Sequence, residues 1–270
     1  MGFLEKIINA ETKYNSLLCI GLDTDINKLP NCIKNSSNPI LEFNARIIES
    51  TKDIVSAYKI NIAFYEAEGK TGWDTLEKTL ELIPKDILTI ADAKRGDIGN
   101  SSELYARAFF ENMSFDSITV NPYLGYDSVQ PFLKYKDKGV FILALTSNKG
   151  SKDFQYLNVD GSPLYEKVVE KVNEWNIDSN CAIVVGATHP NELKKLREKV
   201  PNLPFLIPGI GAQGGDIEST VKYGCNKDKN LALINVSRAI IYSSLENDFD
   251  IKAREATIKY NEQINSFRKI

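Results

Sequence analysis

Two aspartates and two lysines stand at the ends of three short apolar segments of the sequence. Asp23 and Lys59 end the first two segments, and Asp92 and Lys94 end the third. Removing one such charge from water costs several kcal/mol, so these groups are tolerated together only when they alternate in sign and hydrogen-bond one another. Such a network holds ammonium and carboxylate groups rigidly, as proton-transfer chemistry requires. Ordinary ion pairs at loop starts are the alternative for each residue taken singly.

The third segment runs into the stretch "ADAKRGDIGN" at 91–100. Residues two apart in an extended strand point the same way, so Asp92 and Lys94 are predicted to lie side by side. Arg95 then points away, which favours a structural or interfacial role. Asp97 lies beyond the strand, in the loop that follows.

A second group of residues favours binding of an anion. The segment "PGIGAQGGD" at 208–216 contains four glycines, whose backbone N–H groups can approach an anion closely. Gln213 adds amide donors, and Arg238 in "NVSRAI" adds a guanidinium that can bind phosphate in a bidentate manner. The two segments together predict a phosphate site.

Two further motifs carry little weight. Gly209, Gly211 and Gly214 match the G-x-G-x-x-G dinucleotide fingerprint, but that motif normally opens a domain and here follows seven predicted strands. The single histidine, His189, precedes a proline, and without a second histidine or nearby acids it gives little support for a metal site. We assign it no role.

Eight apolar, β-branched segments are predicted to form the strands that position these residues. They are mostly continuous rather than alternating, as in parallel strands covered on both faces. The segments cover 17–22, 55–60, 87–92, 117–120, 140–145, 181–186, 204–209 and 231–236. With helices between them, they predict one (β/α)₈ TIM barrel over residues 1–270, whose functional residues lie where strands end. An open, doubly wound sheet is the alternative.

Amphipathic stripes predict the helices between the strands. One helix follows Ser162 and Pro163, which are predicted as its N-cap and first residue. The other predicted helices cover 41–52, 73–82, 101–112, 127–135, 190–199, 214–224 and 251–268. The loops at 23–40 and 147–161 are long, and the second has the length of a lid or binding loop, with disorder as the alternative.

Composition narrows the class of protein. A net charge of −3 provides no basic excess for nucleic acid, and no apolar run approaches the ~20 residues that span a bilayer. The first residues lack the features of a signal peptide, so a cytoplasmic location is expected. Four scattered cysteines imply neither a disulfide framework nor a zinc site.

Taken in order, the motifs resemble those of a known enzyme family. They are "GLD" (21–23), "AYKIN" (57–61), "DAKRGDIGNS" (92–101), "PGIGAQGGD" (208–216) and "SRAIIY" (237–242). This set is similar to that of the orotidine 5′-phosphate decarboxylases, specifically the longer bacterial subfamily with the DAKRGDI signature. The resemblance extends from about residue 16 to residue 245.

The resemblance implies a role for each matching residue. Lys59, Asp92, Lys94 and Asp97 match the family's alternating catalytic tetrad, with Asp97 contributed across a dimer interface to the neighbouring subunit. Binding of the substrate is implied for Asp23 at the ribose, Ile98, Ser101 and Ser147 at the pyrimidine, and Gln213 and Arg238 at the phosphate. Thr146, Asn61, Asn121 and Gly211 are further candidates to line the site.

The implied reaction is loss of CO₂ from C6 of orotidine 5′-monophosphate, giving UMP in the last step of de novo pyrimidine biosynthesis. No cofactor is implied, and the expected assembly is a homodimer. One rival is a related barrel enzyme acting on a sugar phosphate, such as the metal-dependent decarboxylases or epimerases. The other is a non-catalytic barrel that binds a phosphometabolite, for which the charged network would have no purpose.

Overall fold

Eight parallel strands form a closed barrel in the computed structural model, which describes residues 1–211 and 214–268. The strands are β1 Leu18–Gly21, β2 Ala57–Asn61, β3 Leu88–Arg95, β4 Ser117–Val120, β5 Gly139–Leu145, β6 Cys181–Val185, β7 Phe205–Pro208 and β8 Ala232–Val236. Each strand pairs with the next along the chain, and β8 pairs with β1. The predicted TIM barrel is confirmed, and the open sheet is wrong.

Helices surround the barrel. Those of eight residues or more in the described ranges are α1 Phe3–Lys13, α2 Pro39–Thr51, α3 Gly69–Glu81, α4 Gly99–Arg107, α5 Tyr126–Leu133, α6 Leu164–Trp175, α7 Pro190–Lys199, α8 Ile217–Gly224 and α9 Phe249–Arg268. Shorter helical segments are Ile26–Lys28, Asn31–Ile33, Ala63–Glu66, Pro122–Leu124, Ser151–Phe154 and Arg238–Ile241, and a π-helical turn, Ala108–Asn112, follows α4. The helix predicted at 101–112 is therefore two kinds of helix in succession.

The predicted start of α6 is wrong by one residue. Ser162 and Pro163 are extended and pair with Asn158–Val159 in a small antiparallel hairpin, so Pro163 is the N-cap and Leu164 the first helical residue. The predicted start of α8 is also too early. The Asp216 carboxylate accepts a hydrogen bond from the backbone N–H of Ser219 and caps a helix that begins at Ile217.

An N-terminal helix absent from the sequence prediction, α1, closes one end of the barrel. Phe3 packs edge-to-face against Phe141 of β5, and Gly139 leaves room for the Phe3 ring. Phe3 and Phe141 belong to an apolar cluster with inward-facing side chains of several strands. The amino end of the barrel is thus filled, and the carboxyl end is left to form the site.

Candidate active site

A cavity of about 400 Å³ opens at the carboxyl ends of the strands. All eight strands, or the loops that directly follow them, contribute to its wall. The lining residues are Asp23, Lys59, Asn61, Asp92, Lys94, Thr119, Leu143, Thr146, Ser147, Asn148, Val184, Leu206, Pro208, Gly209, Ile210, Asn235, Ser237, Arg238 and Ala239. The cavity therefore brings together the charged residues at the first three strand ends with Gly209 and Arg238 of the predicted phosphate site.

The four charged side chains of the first three strand ends form one chain of ion pairs. Lys59 Nζ lies 3.0 Å from Asp92 Oδ2 and 3.4 Å from Asp23 Oδ1. Lys94 Nζ lies 2.6 Å from the other oxygen of the Asp92 carboxylate, Oδ1. Asp92 is thus shared between two ammonium groups, and the charges alternate along the network.

Burial differs along this network. The side chain of Lys59 is 5% exposed and that of Asp92 is 11% exposed, whereas Lys94 is 51% exposed. Burial opposes the charge on Lys59, but the Asp23 and Asp92 carboxylates outweigh it and raise the pKa of Lys59 above its usual value. Burial likewise opposes the charge on Asp92, and Lys59 and Lys94 outweigh it, so the pKa of Asp92 is well below its ordinary range. Both groups stay charged, and Lys94 is the member that faces open space.

Lys94 does not have extended backbone geometry. Its φ is +47°, in the left-handed region that residues with a Cβ rarely adopt. The register of β3 against β4 shifts between Ala91 and Arg95, which marks a bulge. The predicted contact with Asp92 is present, but it forms through a bulge rather than through a regular strand. Arg95 turns away and pairs with Glu66.

Asp23 is held by the last strand of the barrel. Ser237 Oγ lies 2.7 Å from Asp23 Oδ2 and 2.9 Å from the carbonyl oxygen of Gly21. A Cβ on Gly21 would lie 2.8 Å from the Cβ of Ser237, so glycine is required for this close approach of β1 to β8. The carboxylate of Asp23 is thereby fixed between Ser237 and Lys59.

The wall opposite β3 contains Gly209 and Arg238, two of the residues predicted to form the phosphate site. Arg238 is exposed and begins the short helix 238–241. Gly209 and Gly211 have φ values of +114° and +81°, conformations that favour glycine. Gly211 is not among the lining residues and packs against Ala239. Gln213 lies outside the described residues.

Thr146 and Ser147 line the cavity at the base of the 147–161 loop. The side chain of Gln155, in that loop, makes two hydrogen bonds to Thr146. Its Oε1 accepts from the Thr146 backbone N–H and its Nε2 donates to Thr146 Oγ1, each at 2.8 Å. His189 Nε2 lies 3.2 Å from the Thr146 carbonyl oxygen. His189 therefore contacts the backbone that carries the candidate pyrimidine ligands.

Besides Gly211, four described candidates lie outside this cavity in their own chain. Asp97, Ile98, Ser101 and Asn121 are absent from its wall. Within the described ranges Asp97 forms no ion pair, and its Oδ1 accepts the backbone N–H of Ile98 at 2.8 Å. Asn121 accepts the N–H of Tyr123 and caps a turn of 3₁₀ helix. Asn61, by contrast, lines the cavity.

Sequence reasoning missed several polar residues of the wall: Thr119, Asn148, Asn235 and Ser237. Thr119 and Asn235 lie inside predicted strands, where only the register shows which side chains face the barrel interior. Ser237 was part of a quoted motif, but its bond to Asp23 depends on the pairing of β8 with β1. The available signal was a polar residue at an inward position of an otherwise apolar strand.

Within residues 1–211 and 214–268, no cluster of three or more His, Cys, Asp or Glu side chains could hold a metal ion. No helix in the same ranges is long and apolar enough to cross a membrane.

Known proteins resemble this chain over almost its whole length. A family model described as "Orotidine 5'-phosphate decarboxylase / HUMPS family" matches residues 16–248. An orotidine 5′-phosphate decarboxylase of Dehalococcoides mccartyi is 52% identical over 273 residues, covering 100% of this chain and 99% of the relative. That of Flavobacterium johnsoniae is 50% identical, covering 92% of each chain. The solved OMP decarboxylase of Leishmania donovani superposes with a TM-score of 0.86 at 37% identity, covering 99% of both chains.

Proposed function

We propose Lys94 as the proton donor of this chain, which belongs to the orotidine 5′-phosphate decarboxylase family. The reaction of that family is the conversion of orotidine 5′-monophosphate to UMP and CO₂ in pyrimidine biosynthesis. The observation that supports this role is the Lys94 ammonium, which lies 2.6 Å from the ionised Asp92 and reaches the open cavity. The 52% identical relative is an orotidine 5′-phosphate decarboxylase and matches this chain along its full length. This match argues against the two rival functions, a sugar-phosphate enzyme and a non-catalytic barrel.

Lys94 has two tasks in the proposed mechanism. When the bond between C6 and the carboxylate breaks, its electron pair stays on C6 in the plane of the pyrimidine, where no π-system delocalises it. The Lys94 ammonium stabilises this charge and then transfers a proton to C6, giving UMP and leaving a neutral amine. Half of the Lys94 side chain is exposed, so the amine can regain its proton from water.

Asp92 and Lys59 keep Lys94 in place. One carboxylate oxygen of Asp92 accepts a hydrogen bond from the Lys94 ammonium, and the other accepts one from the Lys59 ammonium. Rotation of the carboxylate would therefore break both bonds. We place Asp92 opposite the departing carboxylate of the substrate. Lys59 keeps Asp92 ionised and links it to Asp23, the proposed ligand of the ribose hydroxyl groups.

The remaining residues bind the two ends of the substrate. We propose that Ser147, with Thr146 beside it, binds the pyrimidine amide, and that Arg238 and Gln213 bind the phosphate. Binding energy from the distant phosphate can then hold the 147–161 loop closed and exclude water from the reacting carbon. In this proposal residues 1–270 act as one decarboxylase domain.

We propose a homodimer in which each site is completed by the partner subunit. Asp97, Ile98 and Ser101 lie outside the cavity of their own chain and are free to enter that of another. Exposed apolar side chains lie on α4 and its N-cap, on the segment before α5 and at the first residue of α5, and α4 packs against α5. This apolar face comprises Ile98, Leu104, Tyr105, Tyr123, Leu124 and Tyr126, of which Tyr123 is 78% exposed. Exposed apolar residues on packed helices are typical of a protein interface.

The test of these roles is Lys94→Ala. The variant should fold and bind UMP, because the proposed ribose and phosphate ligands are untouched, yet lose nearly all turnover of orotidine 5′-monophosphate. Turnover follows from the ultraviolet absorbance change, and UMP binding from calorimetry. Retained turnover would exclude Lys94 as the proton donor.

The cytoplasmic location stays a prediction, which cell fractionation tests.

A further inference from the structure

A buried threonine of β4 joins the backbone of Lys94 to the carboxylate of Asp92. Thr119 is 1% exposed, and its Oγ1 donates to Asp92 Oδ1 at 3.0 Å. The same oxygen accepts the backbone N–H of Lys94 at 2.9 Å. We propose that Thr119 is a positioning residue for decarboxylation, which sets the Lys94 ammonium at the reacting carbon. The inference rests on the roles proposed for Lys94 and Asp92.

The strand pairing explains why this position matters. Ala91 pairs with Ile118, and Arg95 pairs with Val120, so three residues of β3 lie opposite Thr119 alone. Those three residues, 92–94, include both members of the catalytic pair. A regular ladder would give the Lys94 N–H a backbone carbonyl as partner, and the bulge removes that partner. The Thr119 hydroxyl replaces it, since a buried N–H left without a partner is strongly unfavourable.

Both hydrogen-bonding functions of the hydroxyl are in use, which fixes its orientation. Its proton points to Asp92 Oδ1, and a lone pair receives the Lys94 N–H. Asp92 Oδ1 accepts from Thr119 and from the Lys94 ammonium, so one oxygen closes a loop from the Lys94 backbone to its side chain. This loop holds Lys94 at a φ of +47°, a conformation that a lysine rarely adopts without support. The hydroxyl, rather than the shape of the side chain, carries the effect.

The barrel supplies a matched control at its opposite end. Thr89 Oγ1 donates to Asp116 Oδ2 at 2.9 Å and accepts the Asp116 backbone N–H at 3.0 Å. Thr89 is also buried and lies on the strand next to Thr119. It thus makes the same two kinds of bond far from the cavity, so Thr89→Val shows what loss of such a hydroxyl does to the fold alone.

The experiment compares Thr119→Val, Thr119→Ser and Thr89→Val for kcat, KM and UMP affinity. Valine keeps the shape of threonine and removes the hydroxyl, so kcat should fall by roughly 100-fold, because small misplacements of a reacting group have effects of that order. UMP affinity and KM should stay within about threefold, because the proposed ribose and phosphate ligands are unchanged. Thr119→Ser and Thr89→Val should both keep kcat within about threefold of the wild type.

Several results would overturn the inference. A kcat for Thr119→Val less than about tenfold below the wild type would do so, as would a serine variant as slow as the valine variant. Equal losses in Thr89→Val would show a general effect on the barrel. If the valine variant fails to fold, Thr119→Ala is measured with the same expectations. An inactive Lys94→Ala beside a fully active Thr119→Val would refute this inference and leave the proposed function intact.

Discussion

Mixing two inactive variants tests whether each site is shared between subunits. The structure leaves Asp97 outside the cavity that contains Lys94 of the same chain. The perturbation is therefore a pair of variants, Lys94→Ala and Asp97→Ala, each of which damages both sites of the proposed homodimer. In a hybrid dimer, one site receives Lys94 from one subunit and Asp97 from the other, and this site is intact.

The expected activity follows from counting sites. Random exchange between equal amounts of two variants yields about half hybrid dimers, and each symmetric hybrid contains one intact site of two. The mixture should therefore recover about 25% of wild-type activity per subunit, whereas each parent alone has nearly none. A large recovery from two inactive proteins has no explanation within a single chain.

The assay refolds the two variants together from denaturant and follows the loss of orotidine 5′-monophosphate by absorbance. The matched control is a mixture of Lys94→Ala with Asp92→Ala, whose altered residues contact each other within one chain. That control should recover nothing. Failure of the Lys94 and Asp97 mixture to exceed it, once hybrid dimers are demonstrated by differential tags, would refute the shared site.

Two further predictions concern residues near and far from the site. Ser237→Ala removes the hydrogen bond to the Asp23 carboxylate. Because bonds to charged groups contribute about 1.5 kcal/mol, KM for orotidine 5′-monophosphate should rise roughly tenfold with kcat little changed, and an unchanged KM would contradict the role of Asp23. Glu11 is completely buried, and burial raises the pKa of its carboxyl from 4.5 to about 7. The hydrogen bond that Glu11 accepts from the backbone N–H of Leu231 lowers this pKa but does not outweigh burial. Because the folded pKa of this acid is raised, its contribution to stability is complete below pH 4.5 and is lost as the pH rises to about 7, by roughly 3 kcal/mol. Denaturant unfolding at pH 4.5 and pH 8 should show that loss in the wild type and not in Glu11→Gln, and parallel behaviour of the two proteins would contradict it.

Much of the barrel could be predicted because parallel strands buried on both faces leave continuous apolar segments. All eight segments overlap a strand, and "SITV" matches β4 residue for residue. The helix α1 was not predicted, because residues 3–13 precede the first strand and were considered only as a targeting signal. The hairpin at 158–163 was also missed, since Ser and Pro are common at helix starts and the pairing partner is only two residues long.

The charged part of the site was predictable, and its geometry was not. Asp23, Lys59, Asp92 and Lys94 stand out in the sequence because charge is unusual at the end of a buried strand. The left-handed conformation of Lys94 depends on a register shift against β4, which no local pattern of β3 reveals. Thr119 and Ser237 were missed for the same reason, because a single hydroxyl acquires its role only through the pairing of strands.

The most direct test of the central claim is an absorbance assay of the purified wild-type protein and Lys94→Ala with orotidine 5′-monophosphate in the presence of a chelator. We expect the wild type to consume the substrate and to release UMP and CO₂ in equal amounts, undiminished by the chelator. We expect Lys94→Ala to bind UMP but to produce almost none. A wild type that loses its activity to the chelator, or a Lys94→Ala variant that turns over at a comparable rate, would contradict the proposal that Lys94 itself supplies the charge and the proton.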